Sequence, residues 1–254
     1  MRRDDSDVVL DAAQAARAAD GLKAMIPVGR PFLDYVISAL ADAGITDVVL
    51  VIGPDHAVIR EYLTVLAPPT RVRLIFAVQD EPRGTADAVL AAAGVIGAEP
   101  FLVLNADNCY PSSAVRALAA QDSAGVVAFD RDALTADGAI ERDRIRQFAM
   151  LDVAPGDLLR GIVEKPDDAL DPGAEQSRWV SMNLWALTPS LIDACRRVPL
   201  SRRGEYELPE AIALAVTQGE HVRVIYSHER VLDLSHRRDI AQVAARLHGT
   251  QVHT

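Results

Sequence analysis

Residues 100–107, PFLVLNAD, form an apolar run that ends in an acidic residue, Asp107. A run without polar alternation predicts a strand that is buried on both faces. Similar runs predict further strands at residues 47–53, 71–78, 124–130, 179–187 and 221–227. Helical patterns separate or follow them, at residues 31–44, 84–96, 112–121, 207–219 and 235–249. This alternation predicts an α/β fold with a mixed, mostly parallel sheet that is covered by helices.

Length and composition are those of a globular protein with a single domain over residues 1–254. Half of the 254 residues (50%) are hydrophobic, which is enough for a sizeable core. No stretch approaches the roughly 18 apolar residues of a membrane helix, and the N-terminus is acidic where a signal peptide would be apolar. Cys109 and Cys195 fit no disulfide or zinc pattern, so we expect a cytoplasmic protein without a membrane partner. The formal charge of −10 argues against a nucleic-acid partner.

Two aspartates follow apolar runs that are far apart in the sequence. Asp107 lies in LNADN, residues 104–108, and Asp233 lies in VLDLS, residues 231–235. Open α/β sheets bind ligands beyond the carboxyl ends of their strands, and Mg²⁺ takes oxygen ligands, usually one or two of them carboxylates. The pair therefore predicts a one-metal site. A turn at Asp107 and a helix cap at Asp233 are the structural alternatives.

The segment VQDEPRGTADAV, residues 78–89, predicts a strand, a turn and a helix in direct succession. Gln79 offers a hydrogen-bond donor and an acceptor side by side, which suits the edge of a pyrimidine base. Gly84 would let a flat ring lie against the backbone, and the helix start near Thr85 would present free N–H groups to a ligand. A plain strand–turn–helix corner is the alternative.

Three charged residues are candidates for binding phosphate or sugar groups. In GIVEKP, residues 161–166, Lys165 is placed to hold a phosphate and Glu164 to accept sugar hydroxyls. Lys23 is placed to supply a point charge to a phosphate. For each of them a solvated surface residue is the alternative.

The order of these motifs resembles that of the sugar-phosphate nucleotidyltransferases, which include the glucose-1-phosphate uridylyl- and thymidylyltransferases. The resemblance covers about residues 21–245 and rests on KAMIPVGRPFLDY, QDEPRGTADAVLAA, FLVLNADN, GIVEKP, VSMNLWALTP, GEYELPEAI and VLDLSHRRDI. It implies a Rossmann-like, three-layer α/β/α fold of the nucleotide-diphospho-sugar transferase type. It also implies a Mg²⁺-dependent reaction in which a sugar 1-phosphate attacks the α-phosphorus of a nucleoside triphosphate and pyrophosphate leaves.

The resemblance further implies roles for individual residues. Lys23 and Asp107 would be catalytic, and Asp107 and Asp233 would hold Mg²⁺. The implied nucleotide-binding residues are Gln79, Gly84 and Thr85. The implied sugar-phosphate residues are Glu164, Lys165, Asn183 and Glu205. The glutamine that precedes the EP-GTA segment favours UTP or dTTP over a purine nucleotide.

The family's N-terminal G-x-G-T-R loop has no counterpart in this sequence. Residues 11–21 predict a helix instead, capped by Asp11 and ended by Gly21, and its Arg17 is a poor candidate for the arginine of the loop. We therefore expect residues 1–20 to be a helical insertion, with the loop encoded before Met1. No C-terminal β-helix domain is expected. A sheet edge left open by a missing first strand would favour a homo-oligomer.

Two alternatives to an active sugar-1-phosphate nucleotidyltransferase follow from these observations. One is a catalytically impaired or truncated relative that binds a nucleotide or nucleotide-sugar, which the missing loop favours. The other is a nucleotide-sugar-dependent glycosyltransferase on a similar sheet. Glycosyltransferases of that kind usually carry an Asp-x-Asp metal motif, and the segment around Asp107 supplies only one of its two acids.

Overall fold

The structure, a computed structural model, describes residues 10–138, 140–163 and 178–254. The α-helices in these ranges are α1 (Ala12–Ala19), α2 (Phe32–Asp42), α3 (Ala57–Glu61), α4 (Thr85–Ala92), α5 (Ser112–Ala119), α6 (Arg131–Thr135), α7 (Pro189–Arg197), α8 (Leu208–Thr217) and α9 (Asp239–Leu247). The strands are β1 (Asp47–Ile52), β2 (Arg73–Val78), β3 (Phe101–Val103), β4 (Asn108–Cys109), β5 (Gly125–Asp130), β6 (Ala149–Ala154), β7 (Leu158–Val163), β8 (Trp179–Leu187), β9 (Arg223–Ser227) and β10 (Leu232–Asp233). Short 3₁₀ helices lie at Lys23–Met25, Ala136–Gly138 and Arg142–Gln147, and a π-helical turn lies at Tyr62–Leu66.

The described strands form one large sheet and two separate pairs. The large sheet has the order β3-β8-β5-β9-β7-β6, while β1 pairs with β2 in parallel and β4 pairs with β10 antiparallel. The prediction of a mixed sheet is confirmed. The expectation that it is mostly parallel is wrong for the pairings, because β8 runs antiparallel between β3 and β5 and because β6 and β7 form an antiparallel hairpin. Among the described strands of the large sheet only β5 and β9 pair in parallel.

Apolar side chains cover both faces of the large sheet. Along β5 they alternate, since Val127 and Phe129 belong to one apolar cluster and Val126 and Ala128 to a second. The first cluster includes residues of α2, α5 and α9, and the second includes residues of α4, α7 and α8. The continuous apolar run predicted for this strand is thus explained by helices that pack on each side of it.

The N-terminal helix has the boundaries that its sequence predicts. Asp11 accepts a hydrogen bond from the backbone N–H of Gln14 at 2.8 Å, and the Gln14 side chain accepts one in return from the N–H of Asp11, which completes a capping box. Gly21, with a positive φ of 74°, follows the helix. The helix prediction is confirmed, while its origin as an insertion stays a prediction. No helix in the described ranges is long and apolar enough to cross a membrane.

The predicted strand at residues 100–107 is shorter in the structure. Strand β3 ends at Val103, and residues 104–107 form a turn in which the Asn108 N–H donates to the Asn105 carbonyl at 3.2 Å. Asn and Asp side chains favour turns over strands, so they end the pairing early. The turn alternative for Asp107 is therefore correct for the backbone. The same turn carries this carboxylate away from the sheet edge and towards β10.

Candidate active site

The two predicted metal ligands lie next to each other on the small pair of strands. Asp233 of β10 is in register with Asn108 of β4, and the Leu234 N–H donates to the Asp107 carbonyl at 2.9 Å. Two acids that are 126 positions apart in the sequence are therefore brought to one place by only four residues of antiparallel pairing. This juxtaposition defines the centre of the candidate site.

Lys23 joins this centre from the N-terminal part of the chain. Its ammonium Nζ lies 2.9 Å from Asp107 Oδ2, and both side chains are partly exposed. The lysine is the first residue of a short 3₁₀ helix that packs against α2 and α1. A predicted phosphate-binding cation and a predicted metal-binding carboxylate are thus in direct contact.

Asp233 is held in a more enclosed environment. Its carboxylate contacts the guanidinium of Arg144 and accepts a hydrogen bond from the Ser235 hydroxyl at 2.6 Å. Arg144 also donates to Asp239 at 2.6 Å. Burial raises the pKa of Asp233 to about 6; the Ser235 hydroxyl and the Arg144 guanidinium lower it, and the nearby carboxylates of Asp107 and Asp239 raise it further.

The donor set fits Mg²⁺ but does not form a complete protein cage. Within the described ranges no three His, Cys, Asp or Glu side chains are grouped to hold a metal. Mg²⁺ usually takes only one or two protein carboxylates and completes its shell with water and substrate phosphates. Asp107 and Asp233 supply that number of carboxylates at the rim of a polar cavity, so they are suited to a metal that arrives with a phosphate ligand.

The cavity beside these carboxylates has a volume of about 210 Å³. It is lined by residues of the β3–β4 turn, β8, the segment before α8 and the β10 end. Its lining residues are Thr85, Asn105, Asp107, Asn108, Gln147, Phe148, Met182, Asn183, Arg203, Glu205, Glu207, Pro209, Asp233 and Ser235. Five predicted site residues, Thr85, Asp107, Asn183, Glu205 and Asp233, therefore share one cavity.

A bulge in β8 places Asn183 at the cavity. Between Trp185 and Ser181 the strand has two more residues than its partner segment from Val126 to Ala128, and Asn183 has a positive φ of 59°. Its Oδ1 accepts from the Trp185 indole N–H at 3.3 Å. Bulges and strained backbone redirect side chains and are common at functional sites. The role of Asn183 in the sugar pocket stays a prediction.

The predicted nucleotide corner is ordered by local hydrogen bonds. Gln79 follows β2, and its Nε2 donates to the Gly84 carbonyl at 3.1 Å and to Asp87 Oδ2 at 2.8 Å. Both N–H bonds of the amide are thereby used, so its Oε1 is the atom left to accept from a ligand. Thr85 begins α4, and its hydroxyl accepts from the Leu208 N–H at 2.8 Å.

The structure gives a reason for glycine at position 84 that the sequence did not reveal. Its φ is +116°, and a Cβ built on it would lie 2.5 Å from the Tyr206 carbonyl oxygen. The backbone at Tyr206 bonds to both sides of this corner, since its N–H donates to Arg83 and its carbonyl accepts from Ala86. The glycine is thus needed for close packing of two backbone segments. Its contact with a base remains a prediction.

The segment before α8 brings further charged groups to the cavity. Glu205 lies 3.4 Å from Arg203, and Arg203 also contacts the buried Glu207 at the start of α8, with its Nε 2.9 Å from Glu207 Oε1. Arg203 and Glu207 are not predicted from the sequence, although Glu207 belongs to the GEYELPEAI motif that contains Glu205 and Arg203 directly precedes it. Glu164 and Lys165, the predicted sugar-phosphate pair, lie outside the described residues.

Arg144 was also missed. It belongs to a charged segment, RDRIRQ, that resembles an exposed 3₁₀ turn, yet its side chain is only 5% exposed. No local pattern distinguishes it from Arg142 or Arg146, because its two partners come from the β10–α9 region some 90 residues later.

Comparisons with known proteins show the family to which the chain belongs. The family described as Nucleotidyl transferase matches residues 19–246. The bifunctional protein GlmU of Symbiobacterium thermophilum is 31% identical over 250 residues, which is 94% of this chain and 50% of GlmU, so the chain spans about half the length of that relative. The UTP–glucose-1-phosphate uridylyltransferase AglF of Haloferax volcanii is 26% identical over 246 residues, which is 94% of this chain and 95% of AglF.

Solved structures share the fold. A crystal structure of UDP-glucose pyrophosphorylase complexed with UDP-glucose matches with a TM-score of 0.74 at 15% identity, over 90% of this chain and 91% of that chain. A UTP-bound UGPase from Acinetobacter baumannii matches with a TM-score of 0.71 at 20% identity, over 91% of this chain and 87% of that chain. Because the family match extends over most of the chain, the chain belongs to the nucleotidyl transferase family and, as its motif order predicted, to the sugar-phosphate nucleotidyltransferases.

Proposed function

We propose that this protein transfers a nucleotidyl group from UTP or dTTP to a sugar 1-phosphate, giving a nucleotide-sugar and pyrophosphate. The observation that carries the proposal is the meeting of Lys23, Asp107 and Asp233. The lysine ammonium lies 2.9 Å from the Asp107 carboxylate, Asp233 lies beside Asp107, and both aspartates line a polar cavity. Phosphoryl-group chemistry needs little from a protein beyond positioning and charge neutralisation. This arrangement supplies both.

The charge of each residue around the centre would decide its role in the reaction. The Lys23 ammonium, partly exposed and held on a flexible stem, would neutralise phosphate oxygens of the incoming substrates. Asp107 and Asp233 would hold Mg²⁺, which when bound supplies positive charge to the phosphate oxygens. The expected sugar phosphate would occupy the side of the cavity formed by Asn183 and Glu205, and Glu164 and Lys165 stay predicted partners of it.

The corner after β2 supports a pyrimidine nucleotide. With both amide N–H bonds of Gln79 directed at Gly84 and Asp87, its Oε1 is an acceptor, which matches the N3–H of uracil or thymine. Gly84 and the first N–H groups of α4 would contact the nucleotide beside it. A Rossmann-like three-layer fold is part of the same proposal.

The first substrates to test are UTP and glucose 1-phosphate, because AglF, which aligns over nearly its whole length, is named for them. The assay is pyrophosphate release with Mg²⁺, with dTTP and other sugar 1-phosphates as the comparison set. We expect turnover with a pyrimidine nucleotide and loss of turnover in Asp107→Asn. The matched control is Asp152→Asn, a carboxylate in an exposed ion pair with Arg160 on the β6–β7 hairpin.

A second candidate function is nucleotide or nucleotide-sugar binding without turnover. The observation that favours it is that residues 1–254 contain no G-x-G-T-R segment. Calorimetric binding of UTP and UDP-glucose separates the two. Nucleotide binding without pyrophosphate release from the nucleoside triphosphate, whichever sugar phosphate is supplied, would replace the enzymatic proposal with this one. The absence of both binding and release would remove both.

A further inference from the structure

One arginine lies buried directly behind the candidate metal ligand Asp233. Arg144 Nη2 contacts Asp233 Oδ2, and Arg144 Nη1 donates to Asp239 Oδ1 at 2.6 Å. The side chains of Arg144, Asp233 and Asp239 are 5%, 2% and 7% exposed. A single guanidinium therefore bridges two carboxylates that have almost no contact with water.

The other oxygens of these carboxylates are also engaged. Asp233 Oδ1 accepts from the Ser235 hydroxyl at 2.6 Å, and Asp239 Oδ2 accepts from the His236 backbone N–H at 2.7 Å. Each carboxylate therefore has a hydrogen-bond donor at both of its oxygen atoms. The orientation of Asp233 is set by groups of the chain itself, with Arg144 as the charged member of the set.

The site's two cations differ in how firmly they are held. Lys23 is 30% exposed and makes one contact with Asp107, whereas Arg144 is 5% exposed and bridges two acids. Three carboxylates and two cations leave the group of Lys23, Asp107, Arg144, Asp233 and Asp239 with one net negative charge. A divalent cation at Asp233 would therefore lie close to a positive charge that cannot move into solvent.

We propose that Arg144 is the resident counter-ion of Asp233 and competes with a metal ion for this carboxylate. By resident counter-ion we mean the protein cation that pairs with this buried carboxylate and orients it when no metal is bound. Because Arg144 and a divalent cation repel each other and share one carboxylate, Arg144 weakens metal binding and makes the folding of the site independent of metal. The inference rests on the proposed function, since it takes Asp233 as a metal ligand.

The test is the binding of Mn²⁺ to the full chain without nucleotide, measured by isothermal titration calorimetry. Arg144→Met removes the competing charge, so we expect the Mn²⁺ dissociation constant to fall about tenfold or more. The thermal midpoint of Arg144→Met should be lower than that of the wild type in metal-free buffer. Mn²⁺ should then raise it by more than it raises the wild-type midpoint, because metal replaces the missing counter-ion.

Two further variants keep the test decisive. Arg144→Lys retains the charge but reaches only one carboxylate at a time, so it should fold even if Arg144→Met does not, and its Mn²⁺ affinity should lie between the two. Arg178→Met is the matched control. Arg178 pairs with the buried Asp130 at the far end of β5, so its loss should leave the Mn²⁺ affinity at the wild-type value.

The results separate this inference from the proposed function. If the wild type binds Mn²⁺ and the Arg144 variants bind it equally or more weakly, the counter-ion role is wrong while the metal site stands. If neither the wild type nor any variant binds Mn²⁺ without nucleotide, this inference fails, whereas a metal that arrives with the nucleotide phosphates is still compatible with the proposed function. Pyrophosphate release by the wild type is read independently and reports on the reaction alone.

Discussion

Two buried aspartates, Asp130 at the end of β5 and Asp233 at the candidate site, each pair with an arginine, yet their pKa values shift in opposite directions. Their side chains are 3% and 2% exposed, but Asp130 lies just beneath the surface, beside an arginine that is 60% exposed, whereas the arginine beside Asp233 is 5% exposed. For Asp130, burial raises the pKa, but hydrogen bonds from Arg178 and from two backbone N–H groups outweigh it and the pKa is lowered. For Asp233, burial prevails and raises the pKa to about 6.

The difference lies in the neighbours of each carboxylate. Asp130 caps α6 by accepting from the N–H groups of Asp132 and Ala133, at 2.8 and 3.2 Å, and it also contacts His228. Asp233 has no backbone donors of this kind among its described contacts, and two other carboxylates lie near it. A carboxylate that is fully satisfied serves the structure, whereas one crowded by like charges is typical of a functional site.

The largest expected effect comes from removing each arginine in turn. Arg144→Met would leave Asp233 and Asp239 without their buried cation, and we expect a loss of about 3–5 kcal/mol in the free energy of unfolding. Arg178 is 60% exposed, so Arg178→Met should cost about 1 kcal/mol or less. Urea unfolding at neutral pH in EDTA measures both. Equal losses would show that the two carboxylates are equivalent after all.

Exchange of each acid for its amide should separate function from structure. We expect Asp233→Asn to lower the rate of pyrophosphate release about 100-fold or more, since it removes a carboxylate that would hold Mg²⁺. Asp130→Asn should retain a rate within a few-fold of the wild type, because it lies outside the cavity. The rate is measured at saturating substrate. A comparable loss in Asp130→Asn would contradict the assignment of the site.

The pH dependence of stability should have opposite signs for the two acids. The folded pKa of Asp233 lies above the unfolded value of 3.8, so its contribution to stability declines as pH rises from about 4 to about 7, by up to about 3 kcal/mol. The contribution of Asp130, whose pKa is lowered, is present above the unfolded value and is lost as pH falls through the folded one. Denaturation of Asp233→Asn and Asp130→Asn against the wild type, in EDTA from pH 3.5 to 7.5, reveals each profile.

The smallest expected effect concerns a helix start on the site side of the molecule. The Thr85 hydroxyl accepts from the N–H of Leu208, the first residue of α8, much as Asp130 accepts from the first turn of α6. Thr85→Val keeps the shape and removes the acceptor, so we expect a loss of about 1 kcal/mol. Urea unfolding is the measurement, with Thr64→Val on the exposed surface as the control. No loss at Thr85 would mean that water replaces the hydroxyl.

Much of the fold was predictable because strands and helices follow from sequence patterns of only a few residues. The continuous apolar run of β5 and the Pro-started, Gly-ended α2 segment lie where their patterns predict them. Strand direction was not predictable in the same way. The pairing of β8 between β3 and β5 depends on contacts between residues far apart in the sequence, which no local pattern records. The prediction of a mostly parallel sheet was therefore wrong.

In the candidate site, too, features with a local sequence pattern were predictable and features that depend on long-range contacts were not. Asp107, Asp233, Lys23 and Gln79 could be predicted as candidates because each follows a strand or stands before a helix within a motif of a few residues. Arg203 and Glu207 were not predicted, although Glu207 belongs to the GEYELPEAI motif and Arg203 directly precedes it. Their roles depend on how the segment before α8 folds over the corner at Gly84, and close packing of backbone against backbone is not visible in residue types.

The sequence by itself determined the α/β class, the family and the residues that stand at strand ends, since these follow from hydrophobic period and motif order. Only the tertiary structure decided which charges meet. It brought Lys23 to Asp107 and Arg144 to Asp233 across 84 and 89 positions of sequence. The physical reason is that the energy of a charge depends on burial and on its nearest partners, and both are properties of the folded chain.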